Sequence, residues 1–417
     1  MFFERREDIR ASATSQAVLH AEPLEEGPED QLADLYFNQG RYHEALAELE
    51  RLLRDGELGE DELRASVLAR TGACLRQNGD HDVARDRLLE ALDLDPGHHW
   101  ILSELAESER AMGNAAEARS RYREALAANP DDHWCRGHLA QLEAEEGNAD
   151  EAVKLYREIL TQQPKTAWAK VELAQVLTDK DASESAVLCA SALDDDPTYP
   201  WAHAQLGNLA RRSGKLEVAR DHFRQALEGA PDAPWVLHEL ADICRHLGRM
   251  EEAYAHLERA RAMDPYDATT YGYFADLLRH EGKTGPAIAN LEKAVELDPE
   301  YAWAWRELAE LRALGGKPEE AETAYRKAVE LEPDEAINDG LRAFLLRCQG
   351  KRDAALPWLE RAVERQKDYL WAWREQIDYH LARGKPADAE GAARRGIEQM
   401  PESRYSGAKR ANPCCAR

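Results

Sequence analysis

The stretch from Pro299 to Pro333, PEYAWAWRELAELRALGGKPEEAETAYRKAVELEP, sets a pattern that returns through the chain in steps of 34 residues. Inside it Leu308 and Ala309 precede Gly316, and Ala321, Tyr325, Ala328 and Pro333 follow. Glycine returns at the turn in Gly79, Gly113, Gly147, Gly214, Gly248, Gly282, Gly316, Gly350 and Gly384. Proline closes the block at Pro96, Pro130, Pro164, Pro197, Pro231, Pro265, Pro299, Pro333 and Pro401. Alanine recurs just after each turn, for example at Ala84, Ala118, Ala253 and Ala321, where a small side chain lets two helices approach. A glycine that enters the left-handed region ends one helix, and a proline ends the next. Each block is therefore predicted to be a helix, a turn and a returning helix. Such a unit cannot bury its apolar side alone, so neighbours must stack into one solenoid. The period predicts eleven repeats and an all-α fold.

The repeats are expected over residues 30–402, between an N-terminal extension at 1–29 and a polar tail at 403–417. The extension carries mixed charge and the run AEPLEEGPED, which predicts a loosely ordered segment. The first repeat leaves through RDGELGEDELR, without a closing proline, as a modified end repeat does. Two later places depart from the pattern. Near 178–185 the turn glycine is missing and the step from Pro164 to Pro197 is one residue short, which predicts a tighter or tilted stack there. Around 336–342, Asp339, Gly340 and Arg342 are expected to weaken a first helix, and Lys367 stands where the closing proline belongs.

Charge narrows the partners. The chain has 54 Lys and Arg against 80 Asp and Glu, a formal net charge of -26. A surface this acidic repels a phosphate backbone and attracts basic proteins, so a protein or peptide partner is expected and nucleic acid is not. Hydrophobic residues make up 43% of the chain, enough for a continuous core between helical layers. No run approaches the ~20 apolar residues of a membrane span, so no membrane partner is expected. The seven cysteines make no CxxC pair, and Cys74, Cys135, Cys189 and Cys244 fall among apolar neighbours as free thiols do. That usage, with no apolar leader at the start, gives a cytoplasmic expectation. Cys414 and Cys415 stand together in the tail.

These residues resemble the tetratricopeptide repeat family, whose first helix carries a large residue, Leu and a small residue, and whose second carries Ala, an aromatic or Leu, Ala and Pro. The resemblance spans nearly the whole chain. It implies a right-handed superhelical α-solenoid of about eleven repeats, acting as a non-catalytic scaffold that holds a partner segment in its concave groove. A different class of reading is a regulatory or substrate-recruiting subunit for a transferase or protease on another chain. The family's clamp for a C-terminal carboxylate is not expected, because Asn208 lacks matching Lys and Asn residues in adjoining repeats. Its asparagine ladder is absent too, the corresponding column reading Glu104, His138, Glu172, Gln205, Glu239, Tyr273.

Tryptophan is the feature laid over that pattern. Trp305 and Trp373 occupy the family's large-aromatic position, whereas Trp100, Trp134, Trp168, Trp201, Trp235, Trp303 and Trp371 form a column two residues earlier. Residues 7 and 11 further along a helix share that face, which the resemblance assigns to the groove. The indoles are then expected to be spaced by roughly 8–10 Å, the usual interhelix distance. They either wedge between first helices or anchor a ligand, and both readings stay open. Glu104, Glu172, Glu239, Glu307 and Glu375 follow one turn later, and acid beside indole suits a Lys or Arg of a basic segment. A competing cationic strip, Arg211-Arg212, Arg245-His246 and Arg279-His280, would suit an acidic ligand. Asp242 and Asp276, each three residues before its arginine, offer intrahelical ion pairs instead. An aromatic ladder for polysaccharide is a third reading of the tryptophans.

Catalytic, cofactor and metal sites are not expected. GKT at 282–284 lacks the first glycine of a phosphate loop, Leu277 standing in its place, and His238-Glu239 has Asp242 where a zinc-protease helix needs histidine. Cys135 and His138, near Asp131 and His133, have no second pair at a matching offset.

Overall fold

The computed structural model describes residues 28–55 and 61–399. These form 22 α-helices, paired as eleven successive hairpins, with no strand among the described residues. Pro28 already opens the first helix, Pro28–Asn38, two residues earlier than expected. Residues 1–27 of the expected extension and the tail at 403–417, with Cys414 and Cys415, lie outside the described residues. The chain divides into two compact units, one ending at Leu209 and the other beginning at Ala210.

Both units are built by the same local chemistry. The repeated glycine ends every first helix but Ala167–Leu177 in the left-handed region, as Gly248 shows with φ 75°. Its N–H donates to Arg245 O at 3.0 Å while the next N–H, of Arg249, reaches Cys244 O at 2.8 Å. That pair satisfies carbonyls the helix end leaves open. The repeated alanine follows: Ala84, Ala118, Ala219, Ala253, Ala287 and Ala321 are all fully buried, since only a methyl fits where the two helices of a hairpin meet. Four residues later a large side chain fills the interior, Leu88, Tyr122 and Tyr156 in the first unit, Phe223, Leu257 and Leu291 in the second. Each such side chain is worth roughly 1.5–3 kcal/mol of apolar burial.

Within each unit the first helices also touch one another. In the first, Asp61–Gln77, His99–Ala111, His133–Glu145 and Ala167–Leu177 make a contiguous row. In the second, Pro234–His246 meets Ala268–His280, and Ala302–Leu314 meets Ala336–Cys348. Between these touching helices, a column of residues on one first helix therefore faces the same column one repeat on.

The two irregular places are rebuilt differently. Without a glycine, the helix Ala167–Leu177 stops short, and the Asp181 carboxylate caps the next helix by accepting from Ser183 N at 3.0 Å and Glu184 N at 2.9 Å. Ser185 takes the alanine's place, fully buried, and donates to Ala174 O at 2.6 Å. In the tenth repeat the first helix runs unbroken from Ala336 to Cys348, contrary to the expected weakening. The three residues held to weaken it have packing work. Asp339, 2% exposed, pairs with Arg361 and Arg365; Gly340 makes room for the Tyr369 hydroxyl; and Arg342 binds Glu322 at 2.5 Å.

Candidate functional site

The tryptophan column lies on the row of first helices, and its geometry is not uniform. Six of the seven, Trp100, Trp134, Trp168, Trp201, Trp235 and Trp371, are half-buried, while Trp303 is buried at 7% exposure. The expected even spacing does not hold where Trp134 meets Trp168. Trp134 and Trp168 stack with centroids 4.7 Å apart and planes 13° from parallel. The reason is Gly137: a Cβ there would lie 2.7 Å from Trp168 Cη2, so only a glycine lets the ring tilt in and reach its neighbour. Gly272 does the same for Trp303, whose Cζ3 would be 3.1 Å from a Cβ. Tyr301 and Tyr369, two residues before Trp303 and Trp371, pack against those indoles with centroids 5.6 and 5.9 Å apart.

Trp305 and Trp373, in the family's large-aromatic position, have a hydrogen-bonding role that the sequence reading did not foresee. Trp305 Nε1 donates to Pro299 O at 2.9 Å, and Trp373 Nε1 donates to Lys367 O at 2.8 Å. Elsewhere different chemistry fills the same place six residues after the closing carbonyl. Tyr271 donates to Pro265 O at 3.0 Å, His203 Nε2 lies 3.1 Å from Pro197 O, and Arg136 donates to Pro130 O. A carbonyl left open after a helix end thus finds a side-chain donor in five repeats. Lys367 loses the proline but keeps the clamp.

The arginine strip is an inter-repeat ladder. Arg211 sits 4.0 Å from Glu239 and 3.9 Å from Asp242. Arg245 bonds Asp242 at 2.5 Å on its own helix and Asp276 at 3.1 Å on the next. Arg279 bonds Asp276 at 3.0 Å and Glu307 at 3.2 Å. Arg76 with Glu104, at 3.0 Å, and Arg347 with Glu375, at 2.7 Å, complete the motif. Where the arginine gives way to Thr178, Gln205 replaces the acid and donates to the threonine at 2.6 Å. Both strips singled out in the sequence are therefore largely spent on each other. Arg211, Arg245 and Arg279 each face an acid of the next repeat, and Glu104, Glu239, Glu307 and Glu375 each face an arginine.

Burial tunes these acids in opposite directions. For Asp242, desolvation is outweighed by the hydrogen bond to His246 and the charge of Arg245, and the carboxyl sits below its ordinary range. Burial raises Glu239, and it raises Glu307 from 4.5 to about 7 against the pull of Arg279, with Glu310 and Asp276 adding like charge. The sign for Glu307 follows from the raised value. Between pH 4.5 and about 7 the unfolded chain has lost this proton while the folded one keeps it, so stability falls as pH rises through that window and then levels. A shift of that size is on the order of 3 kcal/mol. We expect Glu307→Gln to flatten the stability of the second unit between pH 5 and pH 8, read as midpoint temperature against pH. An unchanged slope would show the residue ionises normally.

No group of three or more His, Cys, Asp or Glu side chains that could hold a metal ion occurs among the described residues. Cys135 is buried with its thiol pushed up to about 12 by burial, and it donates to Tyr122 O at 3.6 Å. No helix among the described residues is long and apolar enough to cross a membrane.

A row of helical hairpins with fixed turn glycines and interlocking first helices defines a helical repeat protein. Models of the tetratricopeptide repeat match residues 28–96, 75–132, 109–174, 200–243, 232–300, 278–343 and 345–404. The chain belongs to the tetratricopeptide repeat family. Comparison with curated proteins finds no match. Among solved structures, the human IFIT1 dimer with m7Gppp-AAAA is similar, 17% identical with a TM-score of 0.51 over 86% of each chain. Yeast Tom70 is 16% identical with a TM-score of 0.48, over 95% of this chain and 96% of its own. A tetratricopeptide repeat protein of Parabacteroides merdae is 18% identical with a TM-score of 0.48, over 60% of this chain and 98% of its own. At 17% identity the likeness to IFIT1 is one of fold.

Proposed function

We propose that the chain is a non-catalytic scaffold that docks a segment of a partner protein along the face of its first helices. Tetratricopeptide repeats are protein-interaction modules, and on this face six tryptophans keep part of their surface in contact with solvent. The observation that carries the reading is that six of the seven column tryptophans stay half-buried instead of sinking into the core. A partly exposed indole can still release water and grip an apolar or cationic side chain. The partner is a basic segment, because the net charge of -26, with every arginine of the ladder counted, leaves an excess of acid. Although IFIT1 is described with a capped RNA, the acid excess here opposes a phosphate backbone.

The test is capture with position. The full chain is immobilised, partners from lysate are cross-linked, and the linked residues are mapped by mass spectrometry. Cross-links on the first-helix faces, lost in Trp235→Ala and Trp371→Ala variants of unchanged helicity, are the expected outcome. Partners held equally by both variants, or linked only through second helices, would remove the proposal.

A further inference from the structure

Positions 0, 4, 7 and 11 residues from the tryptophan column share one face of each first helix. In the seventh repeat that face reads Trp235, Glu239, Asp242 and His246; in the tenth it reads Ile337, Leu341, Phe344 and Cys348. The tenth repeat has exchanged its whole face for apolar residues. Two columns change together, since Ala313 replaces the arginine of the ladder just where Leu341 replaces its acid. Loss of the ion pair is therefore not left as a stranded buried charge. Leu341 and Phe344 are buried beneath the strip at 8% exposure, with the Arg347 guanidinium 5.1 Å over the Phe344 ring, while Ile337 is half-buried and Cys348 is exposed at the turn end. Leu314, 58% exposed, widens that end at the position where the sixth, seventh and eighth repeats carry Arg212, His246 and His280.

Acid borders the strip on both sides. In register with Leu341 stand Glu307 and Glu375, and in register with Phe344 stand Glu310 and Asp378. Glu307 and Glu375 are matched by Arg279 and Arg347. Glu310 and Asp378 have no ion-pair partner within 4 Å among the described residues. An apolar line flanked by an unmatched carboxylate on either side fits one shape of ligand. We propose that the strip from Ile337 to Cys348 is a docking site for a basic amphipathic helix of a partner. The strip spans about 16 Å, or roughly three helical turns at 1.5 Å per residue. The bound helix lays its apolar stripe on Leu341 and Phe344 and directs Lys or Arg from its two flanks to Glu310 and Asp378. This rests on the reading that partners dock on first-helix faces, and it names the place and the ligand chemistry.

The probe is a fluorescein-labelled helical peptide with leucines at i, i+4, i+7 and i+11 and lysines on both flanks, titrated by anisotropy against the full chain. Two controls carry the same residues scrambled, or glutamate for lysine. Glu310→Lys with Asp378→Lys changes only charges outside the core. Leu341→Glu with Phe344→Asp installs the residues that neighbouring repeats already carry. We expect the leucine–lysine peptide to bind, and its affinity to fall at least about tenfold, a 1.4 kcal/mol change, in each control and each double variant. If Leu341→Glu with Phe344→Asp loses helicity, the charge variant decides alone. Equal binding of ordered and scrambled peptides, no binding at all, or unchanged affinity in the charge variant would overturn the proposal. Binding that survives the strip variants but is lost in Trp235→Ala would leave first-helix docking standing and this strip excluded.

Discussion

Replacing Glu107 by Gln is expected to cost the first unit about 3 kcal/mol, the low end for breaking a buried ion pair. The carboxylate is 7% exposed and is approached from three directions. Arg110 Nη2 lies 2.9 Å from Oε2, His138 Nδ1 lies 2.9 Å from Oε1, and the fully buried Tyr122 hydroxyl donates to Oε1. Burial alone would push this carboxyl up; the charges of His138 and Arg110 overcome it and hold it well below the usual range. The amide keeps the shape and loses the charge, so Arg110 is left with Glu145 at 3.4 Å. We place the figure at the low end because of that second partner. Repeat proteins open locally, so the measurement is hydrogen exchange over His99–Ala111 and His133–Glu145. Protection there should fall by roughly two orders of magnitude while distant repeats change little. The pH sense is the reverse of Glu307. A depressed carboxyl contributes fully above its unfolded value of 4.5 and loses that contribution as pH falls through the folded value, so the variant's deficit should shrink in acid. A deficit independent of pH would mean the loss is steric.

Much of this architecture is legible because its causes are local. A turn glycine and a buried alanine each answer a constraint set by their own backbone or nearest helix, so they repeat as letters. Contacts between repeats are harder to read, because one geometry is met by different chemistry. The carbonyl clamp is the clearest case: Arg136, His203, Tyr271, Trp305 and Trp373 do the same job and look unrelated. A signal was present, since all five fall six residues after the closing carbonyl and all can donate. The arginine ladder was half visible. Spacing gave the intrahelical partners Asp242 and Asp276, whereas the partners one repeat on, such as Glu307 for Arg279, follow only once first helices are known to touch. Paired changes at Thr178 with Gln205 and at Ala313 with Leu341 carried that information too.

Whether a column tryptophan packs or binds can be decided one position at a time, and Trp168 is the strongest case for packing. We expect Trp168→Ala to cost the first unit about 3 kcal/mol, at the low end for a large aromatic because the ring is half-buried. The lost contacts are specific: its ring fills the hollow over Gly137 and stacks on Trp134 at 4.7 Å. The complementary change should also hurt. Gly137→Ala places a methyl 2.7 Å from Trp168 Cη2, an overlap the rigid ring can relieve only by leaving the stack, at about 1–3 kcal/mol. Alanine is the better helix former by roughly 1 kcal/mol, so the same substitution should become neutral or stabilising once Trp168 is shortened to Leu. That reversal of sign is the diagnostic, because a tryptophan held only for a ligand would leave Gly137→Ala beneficial in both backgrounds. Near-ultraviolet circular dichroism gives a second readout, since the stacked pair should contribute a signal that either single change removes. A partner that is lost with Trp235 and kept with Trp168→Leu would divide the column into wedges and anchors.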